Sequence, residues 1–241
     1  MRVSVDNMVF CLRFVFFCLF FSVLSCEAFC ADLLLDPGHS PKKPGATSCS
    51  GIPEYQFNDQ LVQTIVRFLG ERHLGCGVTR RPQEDVGLKE RGAKARGHKW
   101  FLSIHHDAVQ PVYLERINGQ LCSRKARGYS LFVSQKNPHF ETSLLYARVL
   151  GELLISMGFQ PSTHHGEAIQ GENRPLLDAR LGIYQYDNLV VLKTSEAPAV
   201  LLEAAVIVHP DEERLARHPG FQKAIAEAVA QTLRFVQNHS F

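Results

Sequence analysis

Short apolar runs alternate with longer segments of helical periodicity along most of this chain, and that alternation restricts its fold more than any other feature. The runs are Asp32 to Asp36 (DLLLD), Gly77 to Arg80 (GVTR), Trp100 to His105 (WFLSIH), Tyr129 to Ser134 (YSLFVS), Leu189 to Lys193 (LVVLK) and Ala199 to Val208 (AVLLEAAVIV). They are short and apolar or β-rich, as buried strands are. Between several of them lie amphipathic patterns. One opens at Pro53 and Glu54, carries Phe57, Leu61, Ile65 and Phe68 or Leu69 on one face, and ends near Gly70 or Gly75. A second carries Leu144, Ala147, Leu150 or Leu154 and Met157 and stops at Gly158; the last carries Phe221, Ile225, Val229, Leu233 and Val236. Six strands interleaved with such helices predict a three-layer α/β domain, a six-stranded, largely parallel sheet flanked by helices on both faces. In such folds ligands collect where the carboxyl ends of strands run into loops.

At 241 residues and 45% hydrophobic content, the chain has apolar material for one globular domain. Its formal charge of +2 is too mild for the basic stripe of a nucleic-acid binder, so no nucleic-acid partner is expected. The first thirty residues stand apart. Phe14 to Leu24 (FVFFCLFFSVL) is an uncharged apolar run of eleven, preceded by Arg2 and Arg13 and followed by small residues around Ala28, Cys30 and Ala31. This order of charge, short apolar core and cleavage region predicts a signal peptide over residues 1–30 and a mature domain over 31–241. A membrane span would need roughly 20 apolar residues, and Arg13 interrupts any lengthening. Val23 to Cys26 resembles a lipoprotein box faintly, with Leu24 bulkier than such boxes use. The expected location is the periplasm or the exterior. Of seven cysteines, Cys49, Cys76 and Cys122 lie beyond residue 30, an odd number with no C-x-x-C pair. That argues against a disulfide framework or a cysteine zinc knuckle and leaves one disulfide open, with no pair selected.

The polar residues of interest fall at the ends of the runs. The first ends in Asp36-Pro37-Gly38-His39-Ser40, which places His39 in a crevice loop, although a lone loop histidine is commonly just solvated. Glu54 begins the following helix, where an acidic side chain also suits the helix dipole. Within Ser103-Ile104-His105-His106-Asp107, side chains alternate, so His105 shares a direction with Ser103 and His106 points away. Glu203 sits in an otherwise apolar strand; it is either exposed at the strand end or raised in pKa for general acid/base work. Two histidines and a glutamate supply the protein ligands of an open zinc site, and a second glutamate can move the proton of a water that zinc activates. No H-E-x-x-H, G-x-S-x-G or Walker A pattern competes.

The order D-P-G-H, G-x-x-E (Gly51 to Glu54), T-R (Thr79, Arg80), S-I-H (Ser103 to His105) and P-A-V-L-L-E (Pro198 to Glu203) closely resembles the zinc-dependent N-acetylmuramoyl-L-alanine amidases of the amidase-3 type, over nearly all of residues 32–237. The resemblance implies a six-stranded sheet flanked by helices, one catalytic zinc ion held by His39, Glu54 and His105, and Glu203 as the catalytic base and then acid. It implies peptidoglycan as substrate, cut at the amide between the lactyl group and L-alanine, and it allows for a protein activator. A zinc peptidase acting on the peptide stem or cross-bridge is the alternative, since its metal chemistry is the same. Two departures stand out. Asp107 occupies a position where many members have Asn, and the connection Val109 to Gly128, with Arg116, Arg124, Lys125 and Arg127, is longer and reads as a solvated loop. The stretch Phe159 to Arg180 carries His164, His165, Glu167 and Glu172 where some relatives hold an inhibitory helix. Its shortness predicts no full plug and permits a substrate-lining role.

Overall fold

The structure is a computed structural model that describes residues 31–239, so the expected signal peptide lies outside the described residues. In chain order the main elements are β1 (Leu33–Pro37), α1 (Glu54–Gly70), β2 (Cys76–Val78), α2 (Leu88–Ala93), β3 (Trp100–Asp107), β4 (Glu115–Ile117), β5 (Gln120–Cys122), β6 (Ser130–Val133) and α3 (Phe140–Ser156). There follow β7 (Leu176–Asp178), β8 (Ile183–Gln185), α4 (Val190–Lys193), β9 (Ala199–Val206), α5 (Pro210–Ala216) and α6 (Pro219–Asn238).

Seven strands form the central sheet in the order β2-β1-β3-β9-β6-β8-β7. Pairing is parallel from β2 through β9 and between β6 and β8, and antiparallel at β9–β6 and β8–β7. Alternation along the strands divides the core between the two faces. Leu33, Leu35, Trp100, Leu102 and Ile104 pack with Phe57, Leu61, Ile65, Leu150 and Val229 from α1, α3 and α6. On the other face Leu34, Phe101 and Leu201 meet Ala95, Val191 and Leu192 around α2 and α4. The three layers and the mostly parallel sheet agree with expectation.

The strand count does not. Leu189 to Lys193 is no strand: Val190–Lys193 forms one turn of helix, with Val191 and Leu192 buried against the sheet. A run of four apolar residues and a lysine carries no period that separates a strand from a buried turn of helix, and here the tertiary surface decided. The seventh and sixth places in the sheet go to β7 and β8, three residues each and too short to show alternation. Val109 to Gly128 is also more ordered than a plain loop. It holds the β4–β5 hairpin, and Cys122 at the end of β5 is disulfide-bonded to Cys49. Cys76 is free. Among the described residues, no helix is long and apolar enough to cross a membrane.

Candidate metal centre

The loop after β1 is held by groups from three other elements. Asp36, fully buried, accepts hydrogen bonds from Thr79 Oγ1 (2.5 Å) and Ser103 Oγ (2.7 Å). The Arg80 guanidinium donates to the Pro37 and Gly38 carbonyls at 3.1 and 3.2 Å, and the Arg91 guanidinium to those of Pro37 and His39 at 3.1 and 2.9 Å. Arg80 is itself paired with Asp59 at 2.6 Å. Three successive carbonyls are thereby satisfied by two buried cations. This clamp holds His39 in the left-handed region, φ 61°, a conformation in which histidine is more common than most residues.

Glu54 opens α1 and is 4% exposed. Its Oε2 accepts from the Ala46 amide (3.1 Å) and lies 3.0 Å from His39 Nε2, while Oε1 lies 3.0 Å from His105 Nδ1. Asn58 Nδ2 and the His106 amide also donate to Oε1, at 3.0 and 3.2 Å. Burial pushes this carboxyl up, but the hydrogen bonds and charges of His105 and His39 outweigh it and hold it well below the usual carboxylate range. Two glycines make the approach possible. A Cβ on Gly38 would stand 2.3 Å from His105 Nε2, and one on Gly45, at φ 77°, would stand 2.4 Å from Glu54 Oε2.

One donor atom each from His39, Glu54 and His105 lies within 4.8 Å of the others. Zinc with bonds of about 2.0–2.2 Å in a tetrahedron asks for donors roughly 3.3 Å apart, and the two 3.0 Å nitrogen–oxygen contacts approach that spacing. Two imidazoles and a carboxylate are ligand types that zinc takes, so the residues fit the ion. His106 takes no part: fully buried behind the site, it bonds Asn58 Oδ1 through Nδ1 at 2.8 Å, and burial lowers its pKa to about 4, so it stays neutral.

Glu203 pairs across the β3–β9 ladder with His105, and the register shifts between His105 and Asp107. Cross-strand partners face the same side, so this carboxyl is carried beside the donor cluster, at a bulge that re-aims the residues beyond it. It lines a cleft of about 350 Å³ together with His39, Glu54, His165 and Glu172. Its Oε2 is buried with no hydrogen-bond partner. Burial first, then the negative charges of Asp107 and Glu54, raise its pKa well above the ordinary carboxyl value. The protein thus favours the protonated form more than water does, and a divalent cation nearby would reverse part of that push.

Sequence reasoning singled out His39, Glu54, His105 and Glu203, and the structure brings all four to one cleft. It missed Asn58, four residues beyond Glu54 on the same helix face, whose side chain ties Glu54, the Gly38 carbonyl and His106 together. It assigned no work to Arg80 beyond a motif match and did not notice Arg91. The Phe159 to Arg180 connection contains one 3-10 turn, His164–Gly166, and brings His165, Glu172 and Arg174 to the cleft wall.

Fold and site together define a three-layer α/β domain with a histidine–carboxylate donor cluster at the carboxyl ends of its strands. The chain belongs to the Amidase_3 family, N-acetylmuramoyl-L-alanine amidase, which it matches over residues 33–234. N-acetylmuramoyl-L-alanine amidase AmiC of Neisseria meningitidis is 26% identical over 230 residues, 86% of this chain and 53% of that protein. AmiA of Escherichia coli is 25% identical over 212 residues, 83% of this chain and 73% of that protein. The chain thus spans about half the length of the first relative. Among solved structures, the fold is shared with N-acetylmuramoyl-L-alanine amidase from Clostridium difficile 630, at a TM-score of 0.69 and 20% identity, covering 88% of this chain and 99% of that one. Ami1 from Mycobacterium smegmatis superposes at a TM-score of 0.68 and 20% identity, covering 86% and 97%. The CwlD amidase from Clostridioides difficile, at a TM-score of 0.63 and 17% identity over 86% and 98%, was solved in complex with the GerS lipoprotein.

Proposed function

We propose that this protein is an exported zinc-dependent N-acetylmuramoyl-L-alanine amidase that hydrolyses the amide between the lactyl group of N-acetylmuramic acid and L-alanine in peptidoglycan. The observation that carries the reading is the convergence of His39, Glu54 and His105 with the buried carboxyl of Glu203 in one cleft. Family membership supports the choice of bond. When bound, zinc would polarise the amide carbonyl and lower the pKa of a water from about 15.7 toward about 7. Glu203 takes a proton from the attacking water and returns it to the leaving L-alanine amine. The strand pairing with His105 fixes its position, and the apolar strand around it keeps its proton affinity high. His39, Glu54 and His105 are the metal ligands; Asn58 orients Glu54, and Arg80 and Arg91 fix the loop that carries His39.

Export is supported by the Cys49–Cys122 disulfide, since such bonds persist in oxidising compartments, and by the apolar segment ahead of residue 31. The proposal places the protein in the periplasm or outside the cell and assigns residues 31–241 to a single catalytic domain. A protein activator belongs to the proposal as well. The Phe159 to Arg180 wall, which sends His165, Glu172 and Arg174 into the cleft, is the segment such a partner would act on.

Mass spectrometry of a peptidoglycan digest, with and without a chelator, tests the reading. Release of stem peptides with a free L-alanine amine, abolished by the chelator, is the expected result. Stems cut only at internal bonds would assign the protein to peptidases, and chelator-insensitive release would remove zinc from the mechanism.

A further inference from the structure

A second histidine–carboxylate cluster lies in the same cleft, on the side of β6 and β8. Asp107, His164 and His165 are 7%, 8% and 8% exposed, and one donor atom from each lies within 4.8 Å of the others. His165 Nε2 stands 2.8 Å and His164 Nε2 3.3 Å from the same oxygen, Asp107 Oδ2. The two rings are tilted by 37° with centroids 3.9 Å apart.

Every other polar atom of the trio is already engaged on the outside. His164 Nδ1 is bonded to Ser162 Oγ at 2.8 Å, His165 Nδ1 to Glu172 Oε2 at 2.9 Å, and Asp107 Oδ1 accepts the Ala108 amide at 2.7 Å. Two Nε2 atoms and one carboxylate oxygen remain, with His165 Nε2 bonded to that oxygen and all three within 4.8 Å of one another. Of these, His164 Nε2 is buried with no hydrogen-bond partner. An unpartnered ring nitrogen in the interior carries a desolvation cost that a cation removes. Outward bonds from the far ring nitrogen to a carboxylate or a hydroxyl are the support that metal-ligating histidines show.

We propose that Asp107, His164 and His165 form a second divalent-cation site, separate from the one at His39, Glu54 and His105. Two imidazoles and one carboxylate select zinc or another first-row transition ion over magnesium or calcium, which prefer oxygen-only shells. The separation comes from the sheet. His105 and Asp107 are two residues apart on β3, but the register shift between them turns Asp107 Oδ2 toward the Ser162–Arg174 connection. A cation there pins that connection to the end of β3, which a hydrogen bond from one ring does less firmly. Asp107, His165 and Glu172 all line the cleft, so this cluster borders the same cleft as the first donor set.

Zinc stoichiometry decides the matter. The purified protein is stripped with chelator, desalted, titrated with Zn²⁺ by calorimetry and assayed for retained metal by mass spectrometry. The wild type is expected to bind two equivalents, His39→Ala one, and His164→Ala with His165→Ala one. One equivalent in the wild type that vanishes in His39→Ala overturns the second site and leaves the proposed amidase centre standing. One equivalent that vanishes only with His164 and His165 has the opposite meaning: the second site holds and the first ligand set fails. The His39→Ala arm leaves the new cluster intact, so it decides even where the double variant does not fold. One retained equivalent of Co²⁺ in that arm, with the visible absorption of a nitrogen-ligated ion, is the supporting result; no retained cobalt counts against the site.

Discussion

Glu203 stands directly across the parallel β3–β9 ladder from His105, and the register of that ladder slips immediately beyond them. One pair of strands thus delivers both a metal-ligand type and a carboxyl of raised proton affinity to the same point. Beyond the slip, the Asp107 carboxylate meets His164 and His165 at another wall of the same cleft.

Replacing Glu203 by Gln keeps shape and hydrogen-bonding capacity while removing the carboxyl proposed to carry the proton. Peptidoglycan hydrolysis is expected to fall by about 10²- to 10⁴-fold, the usual worth of a general acid/base. Zinc content should be unchanged. The melting temperature should hold or rise, because a buried carboxyl with an unpartnered Oε2 is no longer there to ionise. Digest rates, metal analysis and a thermal melt on one preparation check all three; retained turnover removes Glu203 from the mechanism.

Gly38→Ala tests how closely the D-P-G-H loop is fitted to the site. The new Cβ would lie 2.3 Å from His105 Nε2, so the imidazole must move. Zinc affinity at the first site should drop roughly 10- to 100-fold, the range seen when support of a metal ligand is disturbed. The far-ultraviolet circular dichroism should stay that of the wild type. Competition titration against a zinc indicator gives the number.

Arg80→Ala leaves Asp59 buried without its cation and strips the Gly38 carbonyl of its guanidinium donor. Removing one partner of a buried ion pair costs about 3–5 kcal/mol. Urea unfolding should show that loss, with activity falling further than stability because His39 is carried on the same loop. A change of less than about 1 kcal/mol would mean that the clamp is not what holds the loop.

The Cys49–Cys122 disulfide closes a separation of 73 residues, for which the chain-entropy account gives about 4 kcal/mol of stability. Reduction should lower the denaturation midpoint accordingly and loosen the β4–β5 hairpin from the loop that contains Ala46. Urea unfolding with and without reductant measures it, and coincident curves would refute the contribution.

Cys76 should behave differently from an exposed thiol. Burial pushes it up to about 11 from 9.0, and the thiolate is the reacting form. Alkylation of the folded protein near pH 8 should therefore run about a hundredfold slower than for an unshifted thiol, and accelerate with pH until about 11. The sign for stability is the same: the raised pKa favours the fold fully below 9.0 and that contribution is lost as pH rises through about 11. Rates of iodoacetamide labelling from pH 7 to 11, in native and denatured protein, separate the two behaviours.

Some of this molecule could be read without a structure because it is written in local periods. The short apolar runs at Leu33 to Leu35 and Trp100 to Leu102 declare strands buried on both faces, and the spacing of Phe57, Leu61 and Ile65 or of Ile225, Val229 and Leu233 declares helices that cover them. His39, Glu54, His105 and Glu203 stood out because each ends a strand or starts a helix, where such folds expose ligand-binding groups. Other features had no local signal. Leu189 to Lys193 has the composition of a strand and became a turn of helix, since only the neighbouring surface of Phe101 and Ala95 could choose. The pairing of Cys49 with Cys122, the Asn58 contacts to Glu54 and His106, and the meeting of His164 and His165 with Asp107 join residues that are remote or unremarkable in order. Sequence alone determined the layers and the candidate ligands, because periodicity and strand ends are local properties. Tertiary structure alone decided register, the slip beyond His105 and the second cluster, because those depend on which strand lies beside which.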